Sequence, residues 1–436
     1  MEHRFICGNL SLGPGGRLFF AGQDTAELAA KYGTPLYLMD EDHIRAKCRL
    51  FKRCLNEYFG GRGQILYASK AASFRRMYEI MNEEGMCVDV VSPGEIYTAM
   101  KAGFPLEKAW FHSNNKSDED IAFAMDKGVG QFVVESTEEL LAIDAAAAEH
   151  GIRQRVLLRL TPGIDTHTFE AVDTGKVDSK FGYAIETGQA EEFLQAALPL
   201  ENIELAGFHC HVGSQLFDSD VFIRSAKIML DFMARVRERY GYEPEQLNLG
   251  GGFGVPYVFS DPEPDIELII KETSEAINAM CSERGLKVPE IGFEPGRSIV
   301  ADAGLTLYTV GMVKKIPGFI NYVSVDGGMT DNPRFALYGA EYTVLPADRM
   351  DEDRDMICSV VGRCCESGDI IQPNVPMPST MKRGDLVAVC TTGAYNYSMA
   401  SNYNRVPRPP VVMLSGGKSY VAVRRETLDD MLMLDE

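Results

Sequence analysis

From Ile65 onward the chain repeats a unit of fixed length. Four apolar runs rich in β-branched and aromatic residues, ILYASK from Ile65, CVDVVS from Cys87, AWFHSN from Ala109 and QFVVES from Gln131, start 22 residues apart. That spacing holds one strand, a turn and one helix, and so predicts βα units in series. Helix starts are signalled by Ser117 with Asp120 and by Ser136 before Thr137, whose side-chain oxygens can accept from the first unpaired N–H groups. Gly85, Gly103 and Gly128 supply the stops. Four further runs, RVLLRL from Arg155, IELAGFHCHV from Ile203, QLNLGG from Gln246 and EIGFEP from Glu290, bring the count to eight, the number that closes a (β/α)8 barrel. A doubly wound open sheet is the alternative, but no G-x-G-x-x-G follows the first strand.

After Arg297 the alternation stops. LTLYTVGMV, NYVSVDGG, MICSVVGR, DLVAVCTTG and VVMLSGGKSYVAV read as strands, the last with a Gly416-Gly417 hairpin signal. A chain of 436 residues is too long for one ordinary core. The expected division is a (β/α)8 TIM-like barrel over residues 41–300 and a C-terminal all-β domain over 301–436, which an N-terminal segment, 1–40, joins.

A formal charge of -20 argues against nucleic acid or an anionic membrane surface, both of which need clustered Lys and Arg. The segment MEHRFICGNLSLGPGG lacks the pattern of a secretory signal, and the uncharged run Leu386 to Asn404 is too rich in Thr, Tyr, Asn and Ser to span lipid. Ten cysteines without a Cys-x-x-Cys pair, and histidines without a His-Glu-x-x-His, imply neither a disulfide framework nor a metal site. A cytoplasmic protein acting on a small molecule is expected.

A barrel places its chemistry at the C-terminal ends of the strands. Those positions hold Lys70, Asp89 with Ser92, His112 with Asn114, Glu135 with Ser136, Arg159, His209 with His211, Gly250 to Gly252, and Glu294. For Glu135 and Arg159 the plain reading is a solvated rim. The three glycines, with Gly296 and Arg297 after the eighth strand, sit where this barrel binds phosphate, through backbone N–H groups and a cation. A lysine at the end of a buried strand is costly when charged, which favours a nucleophilic amine. An amine that needs a carbonyl, beside a phosphate site, suggests pyridoxal 5'-phosphate, with Glu294 on its pyridine nitrogen. The competing reading is a simple Lys70–Glu294 pair across the barrel.

Together the motifs resemble the fold type III pyridoxal-phosphate decarboxylases, and most closely the diaminopimelate decarboxylases. The resemblance runs from DTAELAAKYGTPLYLMDED through YASKA, HSNNKS, SKFG, FHCHVGSQL, NLGGGFG and EPGRSIVADAG to VDGGMTDNPRFALYGA, GRCCESGDII and TGAYNYSMASNYN. It implies that Lys70 is the Schiff-base lysine, that His211 stacks on the cofactor ring and that Glu294 is the pyridinium partner. Ser214, Gly250, Gly251, Gly252, Gly296 and Tyr395 match phosphate-side positions, with Asp89, Pro295 and Arg297 also on the cofactor side. Arg297, Arg334, Tyr338, Glu366 and Tyr395 match substrate contacts. Cys365 matches a catalytic thiol offered by the neighbouring subunit, which implies a homodimer with shared active sites. The implied reaction converts meso-2,6-diaminopimelate to L-lysine and CO2, with ornithine, arginine or carboxynorspermidine as alternative substrates on the same fold. Phe335 departs from the proline common after the arginine of this motif. His112 and His209 are expected to be satisfied core or rim histidines, and strand alternation would put Cys364 and Cys365 on opposite faces.

Overall fold

The computed structural model describes residues 4–164 and 179–436. It divides into two compact units. One comprises Lys47–Gly254 with Glu263–Gly296, and the other comprises the N-terminal residues to Ala46, Val255–Pro262 and Arg297–Glu436.

The first unit is the barrel. Its strands are β1 (Gly63–Ala68), β2 (Cys87–Val90), β3 (Ala109–Phe111), β4 (Gln131–Val134), β5 (Gln154–Thr161), β6 (Ile203–His209), β7 (Gln246–Asn248) and β8 (Glu290–Phe293). Each pairs in parallel with the next, and β8 returns to β1 through Ile291 opposite Gly63, so the sheet has no free edge. Parallel strands covered on both faces are apolar throughout, which is why they read as continuous runs. The helix signals hold. Ser117 and Asp120 form a reciprocal capping box, Ser136 Oγ accepts from the Glu139 N–H, and Gly85, Gly103 and Gly128 have φ of 68, 71 and 74°. Every helix therefore starts and stops within its repeat, and the eight strand ends face one mouth.

The second unit is built on Leu36–Asp40, buried along its whole length. It pairs antiparallel with Gly304–Lys314 on one side and parallel with Val411–Ser415 on the other, so the N-terminal segment supplies a central strand of the C-terminal sheet. Val411–Ser415 turns through Gly416 and Gly417, both with positive φ, into Lys418–Val423, the two-residue hairpin that the sequence signals. Leu10, Leu18, Phe20, Leu28, Leu36 and Leu38 pack with Leu305, Leu307, Ala388, Val412 and Leu414 in one core. Cys364 and Cys365 lie in a loop beyond Met356–Val361 and not in a strand, so alternation does not govern them. Among the described residues no helix is long and apolar enough to cross a membrane.

Candidate active site

At the barrel mouth, Glu294 follows β8 and is buried, with both carboxylate oxygens engaged. Oε1 accepts from Asn248 Nδ2 at 2.9 Å, and His112 Nε2 stands 3.0 Å from the same oxygen; Oε2 accepts from His209 Nε2 at 3.1 Å. Burial alone would push the carboxyl up, but the imidazoles of His112 and His209 outweigh it and hold Glu294 well below the usual carboxylate range. Both rings are buried, as expected of core histidines, and both are directed at the one carboxylate expected to do chemistry. Asn248 also accepts the Gly250 N–H on Oδ1 at 2.8 Å, tying Glu294 to the glycine turn.

His211 is half-buried two residues beyond β6, and its Nδ1 accepts the Gly251 N–H at 3.2 Å. Packing around the ring, then the charges of Lys70 and Arg159, push it well below an ordinary histidine, so it is a neutral ring carrying its proton on Nε2. The Gly250 and Gly251 N–H groups are thus already used within the barrel, which narrows the expected phosphate cradle to Gly252 and its neighbours. A side chain on Gly251 would put a Cβ 2.1 Å from the Glu294 carbonyl oxygen, so close approach of the two loops requires glycine there. Gly296 is held likewise, its Cα facing the Cβ atoms of Ala68 and Ala71 on either side of Lys70.

Lys70 departs from expectation. β1 ends at Ala68, and a 3-10 turn over Ser69–Ala71 presents Lys70 as an exposed side chain rather than a buried one. Asp89, at the end of β2, is buried and raised by that burial, and its Oδ1 has no hydrogen-bond partner. Glu95, which the sequence reading missed, accepts the Val91 N–H at 2.7 Å and is pushed to about 7, by burial and then by Asp89. Glu135 and Arg159 are not a solvated rim: they are a buried pair at 2.7 Å, with Glu135 also accepting the Gly182 N–H and Arg159 stacked 4.3 Å from the Phe181 ring centre.

The second unit carries a separate cluster. Arg297 and Arg334 are buried among tyrosines: Arg297 donates to the Tyr257 hydroxyl at 2.9 Å and lies over the Tyr395 ring, and Arg334 donates to the Tyr342 hydroxyl at 2.8 Å. The Arg334 guanidinium faces the rings of Tyr257, Tyr342 and Tyr395 at 5.0, 5.6 and 5.8 Å. Burial would raise Tyr257, but the two guanidiniums outweigh it and lower it. Among the described residues Arg334 has no carboxylate partner. A buried cation without one is costly, and the site is suited to an anionic group arriving from outside. Tyr257 and Tyr342 escaped the sequence reading because no motif marks them; only tertiary packing brings them to the arginines.

Tyr338 ends the short helix Arg334–Tyr338 and is exposed. Glu366 accepts from Ser367 and Gly368 of its own loop, and Cys365 is exposed, its N–H donated to Asn404 Oδ1 at 2.9 Å. Asp369 anchors that loop by accepting the N–H groups of Met329 and Cys364. Ser214 is half-buried.

Residues 41–301 match the family model described as pyridoxal-dependent decarboxylase, pyridoxal binding domain. Diaminopimelate decarboxylase of Bacillus subtilis is 44% identical, over 99% of this chain and 98% of its own length. That of Bacillus methanolicus is 45% identical, over 97% of each. The crystal structure of diaminopimelate decarboxylase from M. jannaschii in co-complex with L-lysine superposes with a TM-score of 0.91 at 32% identity, covering 99% of both chains.

Proposed function

The chain belongs to the diaminopimelate decarboxylases, pyridoxal-dependent carboxy-lyases, and from that premise we propose how its own residues divide the work. The reaction is decarboxylation of meso-2,6-diaminopimelate to L-lysine and CO2, the last step of lysine biosynthesis; decarboxylation of ornithine, arginine or carboxynorspermidine is not favoured. The observation that carries the reading is the ionised Glu294 at the barrel mouth, held by His112, His209 and Asn248. The residues fit pyridoxal phosphate. Glu294 is an acceptor for a ring nitrogen, the Gly251 and Gly296 surfaces have no room for a Cβ, Asp89 Oδ1 lacks a donor, and Lys70 offers an exposed amine.

When bound, pyridoxal phosphate supplies an aldehyde for the amine and a ring that accepts the electron pair left by departing CO2. Lys70 would hold it covalently. His211, neutral and fixed by Gly251, would lie against the ring, and Glu294 would keep a proton on the ring nitrogen. Ser214, Gly252, Gly296 and Tyr395, with Arg297, would take the phosphate side, and Asp89 and Pro295 would line the ring. Arg334 would bind the far carboxylate of the substrate, helped by Tyr338, and Glu366 the far ammonium. Cys365 or Lys70 would return the proton to the carbon that loses CO2.

The exposed thiol loop supports a homodimer in which each site takes Cys365 from the other chain. All ten cysteines are free thiols, which supports a reducing, cytoplasmic setting. For the functional division we keep residues 41–300 as the cofactor-binding barrel, with 1–40 and 301–436 carrying substrate and interface residues. The test is direct: purified protein with pyridoxal phosphate and single amino acids, following CO2. Release from meso-diaminopimelate far above that from ornithine or arginine is expected, and the reverse order overturns the substrate assignment.

A further inference from the structure

His112 and His209 approach one carboxylate from two strands, with ring centroids 5.0 Å apart and planes at 71°. Asn248 and His209 hydrogen-bond to Glu294, one at each oxygen, and His112 Nε2 stands 3.0 Å from Oε1 as an ion-pair contact. A carboxylate oxygen offers about two lone-pair directions, and His209 takes one at Oε2, so Oε2 keeps one for a further donor. The charged groups facing His112 are Glu294 after β8, Asp89 at the end of β2 and Arg159 at the end of β5, with the His209 ring at the end of β6. Arg159 is already committed to Glu135 at 2.7 Å.

The two imidazoles answer these surroundings differently. Burial disfavours charge on both. At His112 the carboxylates of Glu294 and Asp89 overcome it and raise the ring above an ordinary histidine; at His209 burial wins and the ring is lowered. His209 is then a neutral ring donating Nε2–H to Glu294, with a buried Nδ1 that meets no donor. His112 is the cation of the cluster, its Nε2 3.0 Å from Glu294 Oε1.

A second cation on the same buried carboxylate would stand beside the first, and like charges that share one site do not both persist. We propose that His112 is the resident counter-cation of Glu294, and that a protonated ring nitrogen bound to Glu294 replaces it, His112 passing its proton to solvent. One positive charge enters and one proton leaves. This rests on the reading of Glu294 as the partner of the cofactor nitrogen, and makes His112 a positioning residue that sets the charge Glu294 presents.

The experiment uses pyridoxine 5'-phosphate, whose ring nitrogen is protonated near neutral pH and which has no aldehyde to react with Lys70. Titration calorimetry at pH 6.5 in two buffers of different ionisation enthalpy counts the protons exchanged on binding. Wild type should release more than half a proton per site beyond His112→Gln, and Glu294→Gln should also lose that extra release. From pH 6 to pH 7 the wild-type affinity should rise, relative to His112→Gln, by up to about tenfold, the limit for one linked proton. If either variant that binds releases as many protons as wild type, the exchange is overturned. If wild type gives no binding heat, it is the reading of Glu294 that fails.

Discussion

Replacing Arg334 with Met separates a residue that serves a ligand from one that serves the fold. Methionine fills much of the volume between Tyr257, Tyr342 and Tyr395 but cannot bind a carboxylate. The lost interaction is a pair of charge-assisted hydrogen bonds in a desolvated site, at about 1.5–3 kcal/mol each and less than additive, or about 3–4 kcal/mol together. At about 1.4 kcal/mol per tenfold, kcat/KM for meso-diaminopimelate should fall by two to three orders of magnitude. A far carboxylate is bound alike before and during CO2 loss, so the fall should lie mainly in KM. Stability should behave differently. The variant forfeits the bond to Tyr342 at 2.8 Å and the ring contacts, of order 1–2 kcal/mol, but no longer buries a cation without a carboxylate, which costs several kcal/mol. Tyr342 keeps Asn396 Nδ2 as a donor at 3.3 Å. The melting temperature should therefore stay within about 3 °C of wild type. Steady-state kinetics and a thermal melt on one preparation suffice. A KM change below tenfold, or a melt lowered by more than about 6 °C, would mean that Arg334 is a structural cation held for its tyrosines.

Three further outcomes are expected. The protein loaded with pyridoxal phosphate and treated with borohydride should carry the label on Lys70 in peptide maps, and a label on another lysine removes its role. Burial pushes Asp331 to about 7, above its ordinary 3.8, so between these values the folded state keeps a proton that the unfolded chain has lost. Stability should thus fall as pH rises from 5 to 7, and the slope of melting temperature against pH should flatten in Asp331→Asn; an unchanged slope assigns the dependence elsewhere. Lys70→Ala and Cys365→Ala should each be nearly inactive, while an equal mixture allowed to exchange subunits should regain roughly a quarter of wild-type activity, because half the dimers then hold one intact site. No recovery would mean that sites are built within one chain.

The barrel was legible because its period survives in the sequence: strands sealed on both faces are apolar throughout, and their helices carry caps at fixed offsets. The sheet was legible as strands but not as an order, since Leu36–Asp40 lies between Gly304–Lys314 and Val411–Ser415, partners hundreds of residues away. Lys70 was correctly placed at a strand end, yet its burial was misjudged, because the reach of a strand does not tell where the backbone turns out of it. Glu135 and Arg159 illustrate the opposite error. Two opposite charges on adjacent strands, β4 and β5, can neutralise each other inside the wall, and neither segment alone reports the other. His112, His209 and Asn248 were each visible, but their common object, Glu294, exists only once β3, β6, β7 and β8 close around one mouth.

The two clusters follow opposite rules of charge, and the reaction supplies a reason. A carboxylate about to leave as CO2 loses its charge, so a cation holding it would stabilise the ground state more than the transition state and slow the step. Cations belong on the groups whose charge does not change: the phosphate of the cofactor and the far carboxylate of the substrate. At the barrel mouth the charge of Glu294 is met by neighbouring histidines, whereas Arg334 sits in a tyrosine cage without a carboxylate partner among the described residues. An amino acid without a far carboxylate would leave that guanidinium buried and unpaired in its complex, and a site that must bury an unmatched charge rejects such a substrate more strongly than one that merely loses a contact. On the proposed role of Arg334, selection for diaminopimelate over ornithine or arginine follows from the cost of the wrong complex, without any clash being required.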